Sequence, residues 1–170
     1  MLPFLLTRIF RPTFLSAFQI NNFELGTCFT VYGIVALLSY LYGGAITDHY
    51  PPRKLLAAAL LATALGGVYM GTFPELLGLQ ILFGYWGFTT IFLFWGAMIK
   101  ATRSWGGNSR QGQAFGFLEG GRGLLAAFLG MFGVMIFARL LPAELDQFPV
   151  EDRQTAFRVV IWSTSAWVAG

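Results

Sequence analysis

Two opposite charges sit where this chain should least tolerate them. Glu119 and Arg122 lie within an apolar stretch over 113–141. Their three-residue spacing puts them on one face of a helix and lets them pair. A guanidinium offers five donors in a fork that suits a phosphate or carboxylate. A second arginine, Arg8, stands in the apolar stretch at the start of the chain, and Tyr32 lies inside an uncharged run. Tyr40, Tyr42, Tyr85 and Trp86 are further aromatic side chains able to line a solute path or anchor helices. The chemistry open to this set is capture of an anion, not bond-making. The single histidine, His49, has no second His or Cys at ligand spacing, and the single cysteine, Cys28, lies in an apolar run. No metal centre, no cofactor and no disulfide is therefore expected, and no enzyme. Gly120-Gly121-Arg122-Gly123 has the glycines of a phosphate-cradling loop. It lacks the preceding strand and the following Lys-Ser/Thr that such a loop needs, so packed membrane-helix glycines are the better expectation.

The elements carrying these residues are set by composition. The 170 residues are 56% hydrophobic and 11% charged, with a mean hydropathy of +0.63. A soluble domain carries about 25% charged residues. This chain has too little polar surface to face water, so its expected solvent and first partner is a lipid bilayer. The net charge of +3 is spread in flanking positions and forms no stripe, so no nucleic-acid partner is expected.

A membrane helix needs about 20 predominantly apolar residues. Runs over 25–47, 55–74 and 76–99 meet this without an internal charge, bounded by Glu24, by Asp48 to Lys54, by Glu75 and by Lys100. The run over 113–141 is a fourth. Two shorter apolar stretches, about 1–20 and 157–170, read as helices cut short. The expected fold is all-α, a polytopic membrane helix bundle in one transmembrane domain over 1–170, and a fragment of a longer carrier. A stand-alone small membrane protein that dimerises is the alternative.

Arg53, Lys54, Lys100, Arg103 and Arg110 lie in the two connections of one side, which the positive-inside rule assigns to the cytoplasm. Arg11, Arg139, Arg153 and Arg158 fall on the other side together with Glu144, Asp146, Glu151 and Asp152. Of the two cytoplasmic connections, 43–55 reads GGAITDHYPPRKL. Gly44 permits close helix approach, and Pro51 and Pro52 stop the helix. Asp48 sits at a helix C-terminus, which prefers cations. Something must offset it, and Arg53, Lys54 or another helix's N-terminus are the candidates.

This hairpin resembles the signature loop of the major facilitator superfamily, in Gly44, Asp48, Arg53 and Lys54, with His49 and Pro51 departing from the usual pattern. The resemblance implies the amino-terminal half of a secondary carrier, acting with a missing C-terminal half and inactive alone. It also implies that the hairpin latches the two halves together. The stretch 95–123, WGAMIKATRSWGGNSRQGQAFGFLEGGRG, is similar to the organophosphate:phosphate antiporter and sugar-phosphate sensor branch. Leu6-Thr7-Arg8 is similar to the place where that branch keeps a substrate-phosphate arginine. A small organic anion substrate in a bacterial inner membrane, with Arg8 as a counter-charge, is what this resemblance implies; Arg122 and Tyr32 are the further candidate substrate contacts. A transport-incompetent sensor of a sugar-phosphate-like ligand is the alternative within it. No arginine stands in 79–87, where proton-driven drug exporters of the superfamily carry one.

Overall fold

The computed structural model describes Thr7, residues 11–140 and residues 150–169; side chains are described for all of these except 44–46, 48, 136–140, 150–153, 156, 167 and 169. Among the described residues six helices follow one another: α1 (Arg11–Phe18), α2 (Asn22–His49), α3 (Pro52–Met70), α4 (Leu76–Gly106), α5 (Gln111–Leu140) and α6 (Val150–Ala169). Four of them, α2 to α5, are long and apolar enough to cross a bilayer. The shortest, α3, has 19 residues and at about 1.5 Å per residue spans roughly 28 Å, close to the thickness of the hydrocarbon core.

The ends of these helices are cut by local chemistry. At the start of α2, the Asn21 side chain accepts from the Glu24 amide at 2.9 Å, while the Glu24 carboxylate accepts from the Asn21 amide at 2.8 Å. This reciprocal capping box satisfies two amides that have no helical partner. Pro51 is extended and Pro52 opens α3, where its missing N–H costs nothing. Gly107, with φ +56°, ends α4 in a backbone conformation that only glycine adopts freely. The Gln111 amide then donates to the carbonyls of Arg103 and Gly107, tying the exit of α4 to the start of α5.

Helix α4 runs past Lys100 to Gly106, and α6 begins at Val150, ahead of the stretches expected from apolarity. Hydropathy measures how much chain hydrocarbon covers, whereas a helix continues for as long as its backbone is satisfied. Both extensions carry polar and charged side chains.

The most extensive contact is between α2 and α4, and α3 leans on α6 and on the middle of α4. Where α1, α2, α3, α4 and α6 converge, an aromatic cluster fills the interior. Phe14 meets Phe157 edge-on at 6.1 Å, Phe29 meets Phe83 edge-on at 5.2 Å, and Phe83 meets Trp86 at 5.7 Å. The outward faces are apolar as well: Phe23, Leu41, Leu77, Phe117 and Leu124 are all exposed. Large apolar side chains both inside and outside leave hydrocarbon as the only compatible surrounding. Buried polar side-chain atoms among the described residues all have hydrogen-bond partners, as the absence of water demands.

Helix α6 holds the end of the bundle away from the α2–α3 hairpin. Gln154 donates to the Ala17 carbonyl at 2.8 Å, and Arg158 donates to the Gly71 carbonyl at 3.0 Å. These are terminal carbonyls of α1 and α3, groups that a helix leaves without internal partners. The Arg158 guanidinium also lies over Phe73, at 5.3 Å, and near Trp162, at 6.0 Å.

Candidate functional site

The Arg122 guanidinium donates to the Glu119 carboxylate at 2.6 Å, one turn apart on α5. It also sits over the Trp95 indole, 5.0 Å from the ring centre. The arginine is thereby held from two sides, by a carboxylate of its own helix and by an aromatic face of α4, an arrangement that favours a cation. Among the described residues Glu119 is its one ionic partner, and a guanidinium has donors beyond the one used.

Tyr32 of α2 is half-buried and joins its hydroxyl to that of Thr90 at 3.0 Å. Thr90 donates onward to the Trp86 carbonyl at 2.5 Å, so its single proton is committed and Tyr32 must be the donor of the first bond. A second pair lies beside it: the buried Thr63 hydroxyl of α3 donates to Thr89 at 3.1 Å, and the Trp86 indole donates to the Thr63 carbonyl at 3.1 Å. Both hydroxyl pairs meet α4 where it changes geometry. Between Phe88 and Trp95 the helix is π-helical, with α-helix on either side. Such i→i+5 stretches are rare and concentrate at functional sites. Two local features accompany it. The Thr90 hydroxyl competes for the Trp86 carbonyl that an α-helix would give to a backbone amide, and Gly87 lets the backbone of α2 come close at Tyr32.

Tyr32 and Arg122 thus engage opposite ends of the same π-helical segment, Thr90 and Trp95. Tyr40 and Tyr42 are exposed on α2, Tyr85 donates to the Ala62 carbonyl, and Trp86 is wholly buried in the aromatic cluster. Arg8 and the acidic residues Glu144 and Asp146 lie outside the described residues, and so do the side chains of Glu151 and Asp152.

At the hairpin, Gly44 and Asp48 belong to the last turns of α2, with their side chains outside the described set. His49, Arg53 and Lys54 are exposed. The contact that organises this end comes from elsewhere in the chain: Lys100 of α4 donates to the Thr47 carbonyl at 2.6 Å.

One expectation is overturned. Gly120, Gly121 and Gly123 were expected on the inner face of a packed helix, yet a side chain built at any of them, or at Gly112 and Gly116, meets nothing within 4 Å. The physical reason is that α5 touches the bundle mainly through the Gly96–Gly106 segment of α4 and through α6, so most of its surface is unpartnered here. Sequence reasoning also missed Trp95, Thr90 and Lys100. A usable signal existed only for Lys100, which follows Gly96 by one helical turn.

Four helices long and apolar enough to cross a bilayer, with Glu119–Arg122 as the ion pair among the described residues, define a multi-pass integral membrane protein. Residues 2–169 match the family model of the Major Facilitator Superfamily, and the chain belongs to that superfamily. It is 36% identical over 127 residues to Inner membrane protein YqcE of Escherichia coli (strain K12), a match covering 73% of this chain and 29% of that protein. Inner membrane protein YihN of the same organism is 28% identical over 120 residues, 71% of this chain and 28% of that protein. The chain therefore spans less than a third of the length of these relatives. No solved structure gives a significant match.

Proposed function

We propose that this chain is the first-half helix bundle of a secondary carrier of the inner membrane. In this reading it moves a small organic anion or phosphorylated compound by alternating access, together with a second half. The observation that carries the reading is the Arg122–Glu119 pair beneath Trp95. Charge within a membrane helix is costly and is kept where it pairs or faces a pathway. A guanidinium already restrained on two sides binds an oxyanion with little further loss of side-chain freedom. Tyr32 adds a hydroxyl on the neighbouring helix, and Arg8 is the second counter-charge in the same reading. Membership in the superfamily supports the carrier mechanism, and the names of both relatives support the inner membrane. The resemblance of 95–123 to the organophosphate:phosphate antiporters supports an anion exchanged for phosphate.

The hairpin with Gly44, Asp48, Arg53 and Lys54 serves as the latch between the two halves, on the cytoplasmic side where Lys100, Arg103 and Arg110 also lie. The test is uptake into proteoliposomes holding the intact carrier, with labelled phosphate, sugar phosphates and small dicarboxylates as probes. Arg122→Gln should raise the apparent KM for the transported anion by about tenfold or more, the effect of losing a charge-assisted hydrogen bond. An unchanged KM removes Arg122 from the site.

A further inference from the structure

The C-terminal turn of α2 poses an electrostatic problem. The last carbonyls of a helix have no internal partner and carry its negative end. Asp48 adds a carboxylate there, one residue after Thr47. The basic residues that follow in the hairpin, Arg53 and Lys54, are exposed and lie beyond the turn, in the first residues of α3.

The structure supplies a cation from a different helix. Lys100, half-buried, donates to the Thr47 carbonyl at 2.6 Å, across 53 positions of sequence. Its approach depends on a small contact one turn earlier. Thr47 is buried, and its hydroxyl turns back to the Gly43 carbonyl at 2.9 Å. Gly96 lies directly against that hydroxyl, and a Cβ at Gly96 would stand 2.6 Å from the Thr47 oxygen. Gly96 therefore sets the closeness of α2 and α4 at this end, and Lys100, on the same face of α4 one turn on, closes the contact with a charge.

We propose that Lys100 is the positioning residue of the hairpin: seated by Gly96 against Thr47, it neutralises the end of α2 and fixes the turn that carries Asp48. The inference rests on the reading of the hairpin as the latch between halves. The partner of the latch acts from outside this bundle, whereas Lys100 acts from within it and sets the geometry that the partner meets. Lysine suits the task because a point charge on a long stem reaches a single carbonyl without requiring planar recognition.

The experiment uses the intact carrier in inside-out vesicles, with its other cysteines removed and one cysteine introduced at exposed Tyr50 in the hairpin. The readout is the rate of maleimide labelling, which rises when the hairpin leaves its docked position. Lys100→Gln should raise the rate about two- to fivefold, the range expected from losing a cation at a helix C-terminus, and Lys100→Arg should restore it. Asp48→Asn should raise the rate similarly, and the two changes together should do no more than either alone. An unchanged rate in Lys100→Gln, or no restoration by arginine, overturns the inference. A raised rate in Lys100→Gln with no change in Asp48→Asn leaves Lys100 as the anchor of the turn and removes the latch. Should Lys100→Gln fail to insert, Gly96→Ala decides: it should raise labelling alone and return to the parental rate with Thr47→Ala, which deletes the obstructing hydroxyl. Failure of that rescue overturns the inference as well.

Discussion

Helices α4 and α5 are both glycine-rich, yet their glycines face opposite circumstances. On α4, a side chain at Gly84 would meet Val31 at 3.1 Å, one at Gly87 would meet the Tyr32 carbonyl oxygen at 2.7 Å, and one at Gly96 would meet Thr47. On α5, Gly112, Gly116, Gly120, Gly121 and Gly123 meet nothing. Small residues let membrane helices approach closely because packing, not water, holds them together. On α4 that purpose is served within this chain, against α2. On the Gly112–Gly123 part of α5 the same composition is present without a close neighbour, whereas Gly130 and Gly133 further along are buried. The comparison teaches that glycine content reports a capacity for close approach, and only the geometry tells whether it is used.

The sharpest way to break this comparison is Gly87→Val. The obstacle is the backbone of α2, which cannot swing aside as a side chain would. We expect a loss of about 1–3 kcal/mol, the usual cost of forcing atoms into a packed site, read as a lower unfolding midpoint of the carrier in detergent. Smaller is the effect of Tyr32→Phe. It removes the donor to Thr90 and should cost about 0.5–1.5 kcal/mol; an unchanged midpoint would detach the hydroxyl chain from the α2–α4 contact. Smallest is Gly120→Ala on α5. Within this bundle it meets no neighbour and should raise stability by about 0.5–1 kcal/mol, the gain of the better helix former. A loss as large as that of Gly87→Val would mean that α5 is packed after all, and the contrast between the two helices would fail.

The spans could be read from the sequence because hydrocarbon imposes a length. An uncharged run bounded by Glu24 and Asp48, or by Glu75 and Lys100, leaves little choice. The Glu119–Arg122 pair could be read as well, since three-residue spacing determines neighbours on any helix. What could not be read is the rotation of each helix about its own axis. Tyr32, Tyr40 and Tyr42 are equivalent to a hydropathy window, but only Tyr32 turns toward Thr90 while the other two face outward. Trp95 beneath Arg122 and Lys100 on Thr47 depend in the same way on azimuth, and azimuth depends on packing between segments far apart in sequence. Arg158 is a milder case. It reads as the boundary of an apolar run, whereas it reaches across to Gly71 from within α6. The π-helical stretch of α4 was hidden for a related reason: Phe88 to Trp95 is as apolar as any α-helical span, and nothing in that composition reveals a change of winding.

That stretch has a consequence for everything beyond it. An α-helix advances by about 100° with each residue; a winding that closes its bonds one residue later advances by less, and the lag accumulates from Phe88 to Trp95. Trp95, Gly96 and Lys100 all lie at or past its end. Were the stretch to tighten into ordinary α-helix, the lower part of α4 would swivel like a key in a lock. The indole would leave the guanidinium, and the ammonium would come off the end of α2, in one movement. The Arg122–Trp95 contact and the end of α2 are thus geared to a single length of chain.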